Sequence, residues 1–126
     1  MKSKLLSKLL VIVAVSSLSQ FALADSASAT KEIAGILATF NHFPSDSDKA
    51  ALMAIAKDSD NGRGLQAIAS AITNMQHKAT DADMEILNTI AMADMAPDSV
   101  KALAKIVVGI SHVPSDEAKA TLQAML

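Results

Sequence analysis

Three histidines, His42, His77 and His112, are the only histidines in the chain, and each is 35 residues from the next. Neutral imidazole is a common ligand of Zn²⁺ and other transition metals, and nearby aspartates can hold such ligands by hydrogen bonds to the second ring nitrogen. These three side chains could therefore bind one metal ion together, provided that the fold brings them to one point.

The sequence around each histidine offers a local alternative. His42 and His112 each begin the sequence His-x-Pro-Ser-Asp, and His77 begins the looser copy His-Lys-Ala-Thr-Asp. Proline cannot continue a helix, serine or threonine is a favoured N-cap, and aspartate suits the positive start of a helix. We interpret these residues as structural corners between helices: His42, Pro44, Ser45 and Asp46; His77, Thr80 and Asp81; His112, Pro114, Ser115 and Asp116.

The distance between equivalent side chains in neighbouring repeats distinguishes a structural corner from a shared metal site. Packed helices lie about 8–10 Å apart, so equivalent side chains in an open stack of three repeats form a row roughly 16–20 Å long. Such a row cannot share an ion that needs bonds of about 2.0–2.1 Å. The histidines could converge only if the repeats closed around a pseudo-threefold axis. We therefore favour the structural corner and predict no cofactor and no metal, with His42, His77 and His112 as the alternative metal ligands.

Six methionines follow residue 25, and thioether sulfur is a ligand that Cu(I) prefers. Met92 and Met95 are spaced to share one face of a helix. Met75 and Met125, however, occupy apolar positions of the repeat, and methionine fills irregular gaps in cores that lack aromatic residues. We interpret the methionines as mainly core residues.

The elements that position the corners are helices. An apolar stripe at i, i+3, i+4 and i+7 precedes the first corner, and similar stripes recur 35 and 70 residues later. The stripes are Ile33, Ile36, Leu37 and Phe40; Ile68, Ala71, Ile72 and Met75; Leu103, Ile106, Val107 and Ile110. A second helix follows each corner, with Leu52, Leu87 and Leu122 at equivalent core positions. Residues 33–56 and 103–126 are identical at ten of 24 aligned positions, so the repeat includes the corner as well as the helices.

The predicted fold is all-α, because no segment shows sustained alternation of apolar and polar residues. It comprises three 35-residue helical hairpins, six helices in all, stacked as a short helical repeat or as a compact bundle. The repeats cover about 31–62, 63–97 and 98–126, and together they form one domain, residues 31–126.

The first 24 residues have the features of a secretory signal peptide. Lys2, Lys4 and Lys8 precede a short apolar run, and Ala22-Leu23-Ala24 is a small-x-small cleavage site. We predict a signal peptide at 1–24, a disordered leader at 25–30 and no membrane insertion after cleavage. The expected location is exported: periplasmic if the source is Gram-negative, and otherwise secreted.

Composition excludes several classes of function. Without the three lysines of the signal peptide, 8 basic residues face 13 acidic ones, whereas a nucleic-acid-binding protein needs a basic surface. There is no cysteine, and no nucleophile, phosphate-binding or zinc-protease motif, so we predict that the protein is not an enzyme.

The predicted function is that of a small exported interaction or adaptor module with an unidentified protein partner. One alternative is a periplasmic metal-binding or metal-sensing protein that uses the repeated histidines. A second alternative is a chaperone-like envelope stress protein. Its oligomeric state does not follow from the sequence.

We expect the exported protein to begin at Asp25, because cleavage follows the small-x-small site at Ala22–Ala24. The intact mass of the exported product measures this directly. A soluble exported product that retains Met1 would contradict the signal-peptide prediction.

Overall fold

The computed structural model describes residues 27–126, and these residues form six α-helices and no strand. In chain order they are α1 at residues 27–38, α2 at Asp46–Lys57, α3 at Gly62–Thr73, α4 at Asp81–Met92, α5 at Asp98–Gly109 and α6 at Asp116–Ala124. A short 3₁₀ turn, Ser59–Asn61, precedes α3. The all-α prediction with six helices is confirmed. The predicted signal peptide and the start at Asp25 lie outside the described residues.

The start of α1 differs from the predicted disordered leader. Residues 27–30 are helical, and the methyl group of Ala29 is buried with 5% exposure. Ala29 lies four residues before the fully buried Ile33, so it extends the apolar stripe by one turn. Burial of this small side chain gives the segment a packing surface that its polar composition did not suggest.

The second helix of each repeat begins as the corner sequence predicts. The Ser45 hydroxyl accepts a hydrogen bond from the backbone N–H of Asp48, and the Ser115 hydroxyl accepts one from that of Ala118, both at 3.1 Å. Thr80 caps α4 in the same way, accepting from the N–H of Asp83 at 3.2 Å. Asp46, Asp81 and Asp116 are the first residues of α2, α4 and α6, where their charge complements the helix dipole.

The core lies mainly between the first helices of the repeats. Ala34, Ala69 and Ala104 occupy equivalent positions and are completely buried. The largest fully buried side chains come from all three repeats: Ile33, Leu37, Leu52, Leu65, Ile68, Ile72, Met75, Leu87, Leu103, Val107 and Leu122. The second helices each contribute one fully buried leucine and expose most of their remaining surface, so they form an outer layer.

The helices pack in pairs that cross the repeat boundaries: α2 with α3, α4 with α5, and α1 with α6. Side chains reinforce the first pair, since Gln66 Nε2 donates to the Ala56 carbonyl at 2.9 Å and Asn61 Nδ2 donates to the Ile55 carbonyl at 3.2 Å. At the α1–α6 junction, a Cβ atom on Gly35 would lie 3.8 Å from Leu126 Cδ2. The first and last repeats are therefore in contact, and the three repeats form a closed compact bundle.

Among residues 27–126, no helix is both long enough and apolar enough to cross a membrane.

Replacing Leu87 or Leu122 by alanine should lower the free energy of unfolding by similar amounts, about 2–5 kcal/mol each. Both side chains are completely buried. In an open stack, Leu122 would have neighbours on one side only and its loss would cost less. In the closed bundle, α6 packs against α1, so the two positions are equivalent. Urea denaturation of the two variants measures the difference, and a much smaller loss for Leu122→Ala would contradict closure.

Candidate metal centre

Each histidine occupies the centre of a tight turn with left-handed backbone. The φ angles of His42, His77 and His112 are 69°, 73° and 72°, and these are the non-glycine residues with positive φ in the described part of the chain. At the first corner, the N–H of Phe43 donates to the carbonyl of Asn41 at 2.7 Å. A bond from residue i+2 to residue i around a positive φ defines the rare, strained form of the γ-turn.

Buried residues on both sides of each histidine, here called its anchors, force the chain into this turn. The preceding anchors, Phe40, Met75 and Ile110, are 4%, 1% and 2% exposed. The following anchors, Pro44, Ala79 and Pro114, are also buried. Only three residues connect each pair of anchors, so the chain must reverse sharply between them. The histidine lies at the middle of the reversal.

The three turns are joined by a closed ring of backbone hydrogen bonds. The N–H of His42 donates to the His112 carbonyl at 2.6 Å, that of His77 to the His42 carbonyl at 2.6 Å, and that of His112 to the His77 carbonyl at 2.7 Å. Each histidine thus donates once and accepts once. The three corners meet at a pseudo-threefold axis, which is the arrangement that a shared site requires.

The imidazole rings converge around the same axis. Ring centroids are 5.1 Å apart for His42 with His77 and with His112, and 4.9 Å apart for His77 with His112, with each pair edge to face. One nitrogen of each ring lies within 4.8 Å of the corresponding nitrogens of the other two. His42 is half-buried, whereas His77 and His112 are exposed, so the cluster is open to solvent on one side.

The rings of His42 and His112 each contact the side chain of the residue before them. His42 Nδ1 is hydrogen-bonded to Asn41 Oδ1, and His112 Nδ1 lies 3.3 Å from Ser111 Oγ. The amide oxygen of Asn41 cannot donate, so Nδ1 of His42 must carry the proton, which leaves Nε2 with a free lone pair. Metal-binding histidines are commonly held in this way, with the second ring nitrogen donating to a neighbouring group.

Sequence reasoning missed these supporting residues. Asn41, Gln76 and Ser111 occupy the same position in the three repeats, and each carries an oxygen that can accept from an adjacent ring. This recurrence of a polar residue before each histidine is the sequence feature that could have identified them. The observed contacts of the His42 and His112 rings are with these neighbours and with the other rings, rather than with Asp46 or Asp116 of the same corner.

The spacing of the rings is close to that of a three-histidine metal site. Three nitrogens that are at most 4.8 Å apart have a common centre no more than about 2.8 Å from each of them. Zinc–nitrogen bonds are about 2.0–2.1 Å long, so each nitrogen would need to move inward by about 0.7 Å. Small rotations of the rings about their side-chain bonds would shorten these distances.

The face that carries the histidines is predominantly acidic. The first turns of α2, α4 and α6 begin beside the corners and hold six carboxylates: Asp46, Asp48, Asp81, Asp83, Asp116 and Glu117. The lysines on the same face are Lys49, Lys78 and Lys119. The excess of negative charge raises the local concentration of cations near the rings.

The methionines of the described residues differ widely in burial. Met75 is buried, and Met84 and Met125 are partly buried against the core. Met53, Met92 and Met95 are exposed, so the interpretation of the methionines as mainly core residues is wrong for these three. Met92 and Met95 are 81% and 95% exposed. Met92 is the last residue of α4, about 18 Å along the helix from the corner, and Met95 lies in the loop between α4 and α5.

A comparison of the chain with protein-family models, with curated proteins and with solved structures finds no match.

Replacing His77 by glycine should give a more stable protein than replacing it by alanine. At a φ of 73° alanine retains the steric penalty of the left-handed region, about 1–2 kcal/mol, whereas glycine does not. Both substitutions remove the same exposed ring, so the ring's contacts cancel in the comparison. Urea denaturation of the metal-free variants measures the difference, and a more stable alanine variant would contradict the strained turn.

Proposed function

We propose that this protein binds one transition-metal ion through His42, His77 and His112. The observation that carries the proposal is the placement of one ring nitrogen from each histidine within 4.8 Å of the other two. The backbone hydrogen bonds among the histidines bring the three corners to one axis. The rings around that axis place one nitrogen each close enough for a single ion to bind all three.

The ligand set favours a divalent ion of intermediate softness. Imidazole suits Zn²⁺, Cu²⁺ and Ni²⁺, and the chain has no cysteine to supply thiolate. Three protein ligands leave at least one coordination position open toward solvent. The Nδ1 contacts to Asn41 and Ser111 support Nε2 as the coordinating atom.

We infer that ion binding, rather than catalysis, is the role of the site. The serine and threonine hydroxyls nearest in sequence to the rings cap helices, and the aspartates beside them begin those helices. We further propose that the protein acts after export, as a periplasmic or secreted metal-binding or metal-sensing protein. The N-terminal sequence at Lys2–Ala24 supports that location.

The interaction-module and chaperone-like functions stay hypotheses. Both were suggested by the stacked architecture and the small exported chain. No contact among the described residues favours either of them over metal binding.

Zinc should raise the melting temperature of the purified protein, and replacing any one of the three histidines by alanine should remove most of that rise. A ligand that binds only the folded state stabilises it in proportion to the logarithm of its concentration over its dissociation constant. Protons compete with the metal for imidazole, so the zinc-induced rise should be larger at about pH 7.5 than at about pH 5.5. Differential scanning calorimetry with and without zinc provides the measurement.

The matched control is Met95→Leu, which changes an exposed residue in the loop between α4 and α5 and should leave the zinc effect unchanged. The same series with copper tests the choice of ion. A zinc-induced rise that survives each single histidine substitution would overturn the shared site, because the histidines would then act independently.

A further inference from the structure

A pocket of about 570 Å³ opens beside the histidine cluster, and His77 forms part of its wall. The other walls include Phe43 and Lys49 from the first repeat, and Asn74 and Gln76 from the end of α3 and the turn that follows it. The pocket therefore lies at a junction between two repeats. Its volume falls within the usual range for small-molecule sites, about 300–1,000 Å³.

Lys49 gives this pocket a positive charge. It lies in the first half of α2 and is half-buried, whereas its equivalent in the third repeat, Lys119, is exposed. Within residues 27–126 the ammonium group of Lys49 makes no ion pair. It is thus available to a ligand in a pocket that already adjoins one of the proposed metal ligands.

Phe43 supplies an apolar wall to the same pocket. The ring is 58% exposed, the largest exposure of any aromatic side chain in the described residues. Because Phe43 follows His42 directly, its position is set by the same tight turn that places the imidazole. The pocket thus combines an apolar surface, an ammonium group and the imidazole of His77.

We propose that the metal ion and Lys49 together bind the carboxylate of a small organic acid, whose apolar part contacts Phe43. This inference rests on the proposed metal site, because the open coordination position supplies the first contact. One carboxylate oxygen coordinates the ion, and the other accepts a hydrogen bond from the Lys49 ammonium group. Carboxylates bind metals and ammonium groups in both of these ways.

The charge around the pocket favours a singly charged acid. Asp46 and Asp48 precede Lys49 in α2, and Asp83 accepts a hydrogen bond from Asn74 Nδ2 at 3.3 Å. These carboxylates repel anions of higher charge, such as phosphate, more strongly than a monocarboxylate. The apolar wall at Phe43 adds affinity for acids with an aromatic or aliphatic substituent.

Phenylacetate and acetate provide probes for the test. Isothermal titration calorimetry should detect phenylacetate binding to the zinc-loaded protein and none to the metal-free protein. Lys49→Met should weaken phenylacetate binding by about tenfold, the size expected for loss of a charge-assisted hydrogen bond, whereas Lys49→Arg should retain most of it. Phe43→Ala should weaken the binding of phenylacetate but not of acetate.

Lys119→Met is the matched control, since it removes the equivalent charge at an exposed position outside this pocket. It should leave phenylacetate binding unchanged, and all of these variants should keep the zinc affinity of the original protein. If Lys49→Met and Lys119→Met weakened phenylacetate binding equally, the assignment of Lys49 to the binding site would be overturned, because the result would indicate a general effect of charge.

The two proposals fail in different ways. A protein that binds zinc through the three histidines but does not bind phenylacetate overturns the carboxylate site alone. Phenylacetate binding that is equally strong without metal also overturns it, since the metal would then supply no contact. Failure to bind zinc or copper overturns the metal site and the carboxylate site together.

Discussion

The arrangement of this protein depends on three backbone hydrogen bonds that link the histidines in a ring. Each bond joins one repeat to another, so the ring fixes all three corners at once. The histidine at each corner has a positive φ, which is unfavourable for a residue with a Cβ atom. Packing on both sides and the inter-repeat bonds together offset that cost. The convergence of the imidazoles follows from this backbone geometry.

Much of the fold could be predicted because its signals are local and repeated. Apolar stripes at helical spacing identified the helices, and Ser45, Thr80 and Ser115 identified where the second helices begin. The completely buried Leu52, Leu87 and Leu122 confirm the equivalence of the repeats. These features depend on neighbouring residues in the sequence, which is why one chain was sufficient to find them.

The candidate site could be predicted only in part. The three histidines were identified, but whether they meet depends on contact between the first and last repeats, and no local pattern encodes that contact. An open stack and a closed bundle use the same helices, the same caps and the same buried leucines. The difference lies in α1, at residues 27–38, packing against α6, at Asp116–Ala124. The supporting role of Asn41 and Ser111 was missed for the same reason, since it becomes apparent only when the rings share an axis.

The three junctions between repeats are structurally alike but differ in covalent linkage. Residues 58–61 join α2 to α3 and residues 93–97 join α4 to α5, whereas α6 and α1 pack together without being consecutive in the chain. α1 runs toward a histidine corner and α6 runs away from one, so residues 27 and 126 lie on the side of the bundle away from the histidines, where the two connecting loops also lie. A circularly permuted chain, with a short linker from residue 126 to residue 27 and new termini in either loop, would therefore retain the same three corners. The order of the repeats along the chain can thus change, whereas the common axis at which the three corners meet must be kept.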